Sequence, residues 1–168
     1  MAAQSSLSKD ELLTLLQTSG EETIAAIRAL PPEAFTRICY EGGWNGREIV
    51  AHVAAIEWTY PRLIDLARQA DADAQRADSG TAAPLSSGID AYNARQVAKR
   101  ADTSLDELLD EFARNRAATI AAFAAVDDAL LAAPIRTAGG ISGRLGEVIR
   151  WVAVDHVRGH VHDIASAS

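Results

Sequence analysis

The chain has 168 residues and a formal net charge of -7, with 48% hydrophobic and 23% charged residues, a balance that fits one globular domain over 1–168 and is too apolar for a disordered chain. The acidic excess works against a protein that gains its affinity by neutralising phosphates, so nucleic acid and anionic membrane surfaces are not expected as partners. Cys39 is the single cysteine, which excludes an internal disulfide framework and any multi-cysteine zinc motif and leaves histidines and carboxylates to build any metal site.

The opening stretch MAAQSSLSKDELL has neither the charged start nor the apolar run of a secretory signal, and no segment reaches ~20 unbroken apolar residues, so a cytoplasmic protein is expected. Helix starts are legible from capping residues. Ser8 with Glu11 opens the first helix, with Leu12, Leu15, Leu16, Ile24 and Ile27 recurring at helical spacing, Gly20 as a weak point, and Pro31 and Pro32 as the stop. Asn45 with Glu48 opens the second, which carries Ile49, Val50, Val53, Ile56, Leu63 and Ile64 and should kink or break at Pro61.

Residues 71–87, DADAQRADSGTAAPLSS, lack apolar periodicity and read as a surface connection. Ser87 with Asp90 then opens a short helix, IDAYNARQVAKR, within the same crossover. Ser104 with Glu107 starts a long helix through Leu108, Leu109, Phe112, Ile120 and Phe123, which ends before Pro134. The glycine-rich IRTAGGISG reads as a turn, and Ser142 is a candidate cap for the last helix. No alternating apolar pattern of four or more residues stands out. The fold expected is therefore all-α, a four-helix bundle with a long crossover, containing an extra short helix, between helices 2 and 3.

Three of the four histidines fall in DHVRGHVHDI. His156 and His160 lie about 40° apart on the helical wheel, whereas His162 lies roughly 160° from His160 and should point elsewhere. The pair continues the apolar line of Leu145, Ile149 and Val152, while His52 falls on the line of Ile49, Ile56 and Leu63. Three inward imidazoles cannot all be charged without a large desolvation cost. A divalent ion relieves that conflict, since neutral imidazole nitrogens are its ordinary ligands, so His52, His156 and His160 are the expected metal ligands. The HExxH arrangement of zinc proteases is absent, because the sequence reads HVRGH.

GWNGREIVAHVA, YNARQVAKR, SLDELLDEF and HVRGHVHDI, in that order, resemble the DinB-like superfamily, and within it the N-terminal domain of mycothiol-dependent maleylpyruvate isomerases. That resemblance covers nearly the whole chain. It implies a helical bundle with a long crossover and a divalent metal held by three side chains, which carries over onto His52, His156 and His160. At Asp163 many relatives have Gln, and this residue is either an outer partner of the ligands or part of the helix surface, the surface role being favoured. Glu48 is explained by its cap.

Three protein ligands leave one position of a tetrahedral site open. The resemblance favours an enzyme that uses it to hold a low-molecular-weight thiol such as mycothiol for attack on a small electrophile, as a thiol transferase or isomerase. A hydrolase with activated water, with Glu48 or Asp163 as base, and a non-catalytic stress-associated metal-binding bundle are the alternatives. The expected ion is Zn, with Ni as the second choice, and the expected partners are a small-molecule substrate and a thiol. Trp44 reads as a core plug near the site, Trp58 and Trp151 as packing or dimer-contact residues, and Cys39 as a buried small hydrophobe. A homodimer is expected if positions such as Trp58 or Phe112 lie outside the chain's own core.

Overall fold

The computed structural model describes residues 7–40, 43–76 and 88–167. The described chain is dominated by helix: α1 (Lys9–Ala29), α2 (Gly46–Glu57), α3 (Arg62–Arg76), α4 (Ile89–Ala98), α5 (Leu105–Ala124), the single turn α6 (Asp128–Leu131), α7 (Leu145–Arg150) and α8 (His156–Ser166). Three helices begin as their capping residues predict. The backbone N–H groups of Ser8, Asn45 and Ser104 donate to the carboxylates of Glu11, Glu48 and Glu107 at 2.8, 2.9 and 2.8 Å, and each cap side chain accepts in return, so two otherwise unpaired amides are satisfied per helix start. Ser87, the predicted cap of α4, lies outside the described residues.

Pro61 breaks the second helical run, since α2 stops at Glu57 and α3 resumes at Arg62. Of the connection expected over 71–87, residues 71–76 are helical, since α3 runs on to Arg76, and 77–87 lie outside the described residues. Ala, Gln and Arg sustain a helix by propensity even where no apolar stripe demands one.

Two further departures come from residues 134–144. These form a short antiparallel hairpin, β1 (Pro134–Arg136) against β2 (Ser142–Arg144), with Ile135 opposite Gly143. Gly140, at φ +83°, donates to the Thr137 carbonyl at 3.0 Å and supplies the left-handed residue that closes the turn. Ser142 is therefore a strand residue and not a cap. α7 begins at Leu145, where the Arg144 N–H donates to the Glu147 carboxylate at 3.2 Å.

α5 packs against both α1 and α2. Leu12, Leu16, Ile64, Phe123 and Ile149 form part of one buried apolar cluster, and Ile49, Leu108, Phe112 and Ile164 part of another. Phe112 is 1% exposed, so it fills this chain's own core and gives no argument for a dimer.

A buried ion pair ties the helices together. Arg116 on α5 (side chain 4% exposed) forks onto Glu57 at the end of α2 (0% exposed), with N to O distances of 2.6 and 3.0 Å. Its remaining donors reach the Leu16 carbonyl (2.8 Å), Ser19 Oγ (3.1 Å) and the Ala153 carbonyl (2.6 Å). Gly20 is what admits this side chain, since a Cβ there would stand 3.1 Å from Arg116 Cγ. The weak point in α1 is a passage for the guanidinium stem.

Between α7 and α8 the chain makes a π-helical turn, Trp151–Asp155, in which the His156 N–H donates to the Trp151 carbonyl five residues back. This wide turn is held from both sides. Tyr60 Oη donates to the Val152 carbonyl at 2.8 Å, and Arg116 donates to that of Ala153. The ion pair thereby reaches the turn that leads into His156.

Candidate metal centre

α2 and α8 bring the three predicted histidines together. His52, His156 and His160 each offer one ring nitrogen, and these atoms all lie within 4.8 Å of one another. Ring centroids are 5.9 Å apart for His52 and His156, 5.2 Å for His52 and His160, and 4.4 Å for His156 and His160, whose Nε2 atoms are 2.9 Å apart. His162 is exposed and lies 3.4 Å from Ser166 Oγ, outside the cluster as the wheel predicted. Trp44 packs on His52 with centroids 5.0 Å apart, and Trp151 stacks on His156 at 5.6 Å and 12°.

Burial disfavours the charged form of all three rings. It pushes His52 down to about 3, with repulsion from His160 and His156 adding to the effect, and His160 down to about 4, where His156 adds and Asp163 opposes. His156 is also lowered by burial, against the pull of the Val152 carbonyl. The cluster therefore offers neutral imidazoles at neutral pH, the protonation state that a metal ligand needs.

A stability dependence follows for the metal-free protein. The unfolded chain's histidines titrate near 6.5, so between that value and the folded values the unfolded state binds more protons, and stability falls as pH is lowered. At pH 5 the His52 contribution alone is a loss of about 2 kcal/mol relative to pH 7.5. Urea unfolding of metal-free protein at the two pH values checks this, and equal midpoints would contradict it.

Residues 15–164 match the family described as the DinB superfamily. The chain belongs to that superfamily. Among solved structures, this DinB-superfamily protein is similar to the crystal structure of the mycothiol-dependent maleylpyruvate isomerase and to that of a variant of it with one histidine replaced by alanine. Each has a TM-score of 0.69 at 17% identity, covering 100% of this chain and 65% of that one. The likeness at that identity is one of fold. No curated protein sequence matches the chain.

In this member of the superfamily, His52 and His156 face a cavity of about 770 Å³. Its walls are largely apolar and aromatic and include Trp58, Tyr60, Tyr92, Trp151 and the hairpin turn at Thr137–Gly139. Trp58 and Trp151 are 39% and 46% exposed. Both line the cavity, a place that their reading as packing or dimer-contact residues did not foresee. Trp58 is oriented by an indole N–H donated to Tyr92 Oη at 3.2 Å and by the Arg62 guanidinium 4.0 Å above its ring.

The two carboxylates considered as bases are both engaged. Glu48 closes the α2 cap, and Asp163 is half-buried and accepts from Tyr40 Oη at 2.5 Å, which corrects its reading as a surface residue. Tyr40 Oη also lies 3.0 Å from His160 Nδ1. Nothing in the local sequence around Tyr40 signals this, because the partner residues are more than a hundred positions away. Cys39, beside it, is half-buried, and burial together with the Asp163 charge pushes its thiol up, away from nucleophilic use. Among the described residues no helix is long and apolar enough to cross a membrane.

Proposed function

We propose that this protein is a metal-dependent enzyme that joins a low-molecular-weight thiol to a small, apolar electrophile, with His52, His156 and His160 as the ligands of one divalent ion, Zn in the first instance. In this reading the long helical runs form a four-helix bundle around the site and its cavity. The observation that carries it is the opening of a three-imidazole cluster, with His52 buried and His156 and His160 half-buried, onto an aromatic cavity: His52 and His156 belong both to the cluster and to the cavity wall. His52, His156 and His160 would hold a divalent ion, which would supply an open position and lower the pKa of a thiol bound there.

The chain's own residues do the rest. His52, His156 and His160 remain neutral and so bring no competing proton to the site. Trp58, Tyr92 and Trp151 line the cavity and offer apolar surface to a small electrophile. The hydrolytic alternative is less well supported, because Glu48 and Asp163, the candidate bases, are each held by another group. The neighbouring isomerase's dependence on mycothiol makes that thiol the first to try.

Calorimetric titration of Zn-loaded protein with mycothiol, run in two buffers of different ionisation enthalpy, is expected to show one proton released per thiol bound. His156→Ala should show neither binding nor release. Thiol binding that persists unchanged without metal would overturn the reading.

A further inference from the structure

Tyr40 sits on a small scaffold of its own, 120 residues before His160. Cys39 N–H donates to the Trp44 carbonyl at 3.1 Å within a bridge that pairs Ile38 with Asn45, and Gly43 N–H donates to the Tyr40 carbonyl at 2.9 Å. This turn delivers the phenol to α8, where Tyr40 Oη lies 2.5 Å from Asp163 Oδ2 and 3.0 Å from His160 Nδ1. The directions of these two bonds follow from counting protons. A carboxylate only accepts, and the phenol has one proton, so at 2.5 Å the phenol donates to Asp163 in a short charge-assisted bond. Its oxygen is then an acceptor toward His160, and Nδ1 must carry the hydrogen. A neutral imidazole has only one N–H, so Nε2 is left bare, and Nε2 is the atom 2.9 Å from His156 Nε2 inside the cluster.

We propose that Asp163 and Tyr40 form a one-way hydrogen-bond chain that holds His160 in its Nδ1–H tautomer, so that its Nε2 lone pair is presented to the space shared with His52 and His156. Both are positioning residues. They act through His160 and touch neither substrate nor the shared space, and their value to a bound ion rests on the metal-centre reading above. An outer carboxylate or phenol that orients a ligand histidine also raises its basicity, and loss of such a partner typically lowers metal affinity ~10–100-fold. The chain's logic also predicts an inversion. With Asp163 gone, the phenol proton has His160 Nδ1 as its nearest acceptor, and the imidazole hydrogen is driven to Nε2, where it blocks the lone pair.

The test is histidine-labelled protein studied by long-range proton–nitrogen correlation NMR, metal-free and Zn-loaded, alongside Zn affinity from chelator competition. Wild-type metal-free protein should show His160 as the Nδ1–H tautomer. Asp163→Ala should show Nε2–H and a Zn affinity ~10–100-fold weaker, Tyr40→Phe should lose the tautomer preference with a similar fall in affinity, and Asp163→Asn, whose amide oxygen still accepts, should restore both readouts toward wild type. A purely structural role for Asp163 would not exchange the tautomer. Finding His160 as Nε2–H in the metal-free wild type, or an unchanged tautomer in Asp163→Ala, overturns the proposal. If wild type takes up no Zn while the tautomers behave as described, the metal-centre reading fails and the hydrogen-bond chain stands.

Discussion

Arg116→Met should destabilise the protein by about 3–5 kcal/mol, the usual cost of leaving one member of a buried ion pair uncompensated. Glu57 is fully buried and would lose both bonds of the guanidinium fork. The carbonyls of Leu16 and Ala153 would lose a donor in the same step. Burial already pushes the Glu57 carboxyl up against the pull of Arg116, so without that cation it folds only as the neutral acid or not at all. The double variant Glu57→Leu with Arg116→Met should lose less than the sum of the two single changes, because no lone charge then remains inside. Urea unfolding of the three variants measures this. A single-variant loss below ~1 kcal/mol would place the pair among interactions of surface strength.

His52→Ala should abolish metal retention, with a fall in Zn affinity beyond the ~100-fold upper range seen when only an outer partner is lost. His162→Ala should retain wild-type affinity, since His162 is exposed and outside the cluster. Thermal unfolding gives a second readout. A ligand present at 100 times its Kd stabilises a protein by about 2.7 kcal/mol, so added Zn should raise the wild-type unfolding temperature and leave that of His52→Ala unmoved. Equal Zn retention by His52→Ala and wild type, both without an affinity tag, would remove His52 from the ligand set.

How much of this was legible along the chain depends on how local each signal is. Capping boxes are contained in four residues, which is why Ser8, Asn45 and Ser104 mark their helix starts correctly. The convergence of His52 with His156 and His160 was readable because each lies on the apolar stripe of its helix, and two such stripes meet in a core. The hairpin was not readable, since three-residue strands with one buried side chain, Ile135, give alternation too little length to show. Glu57 and Arg116 look like ordinary charges on helix surfaces until packing reveals that they face each other. Asp163 looked solvent-facing for the same reason, as its partner Tyr40 belongs to a turn before α2.

The π-helical turn has a consequence for insertions and deletions. Over about the same length of axis, a helix with one wide turn holds one residue more than a regular α-helix, and the wide turn absorbs that residue's rotation. Deleting one position from 151 to 155 would therefore let the backbone relax to ordinary α-helical spacing with α7 and α8 close to their present phase, so that His156 and His160 still face His52. Leu145 and Ile149 are fully buried and anchor α7 in the core, so a residue added to the same segment, with no second wide turn to absorb it, would rotate α8 by about 100° and carry both histidines away from His52. The segment is thus asymmetric in length: it can give up a residue and keep the histidine face, whereas gaining one turns a whole helix.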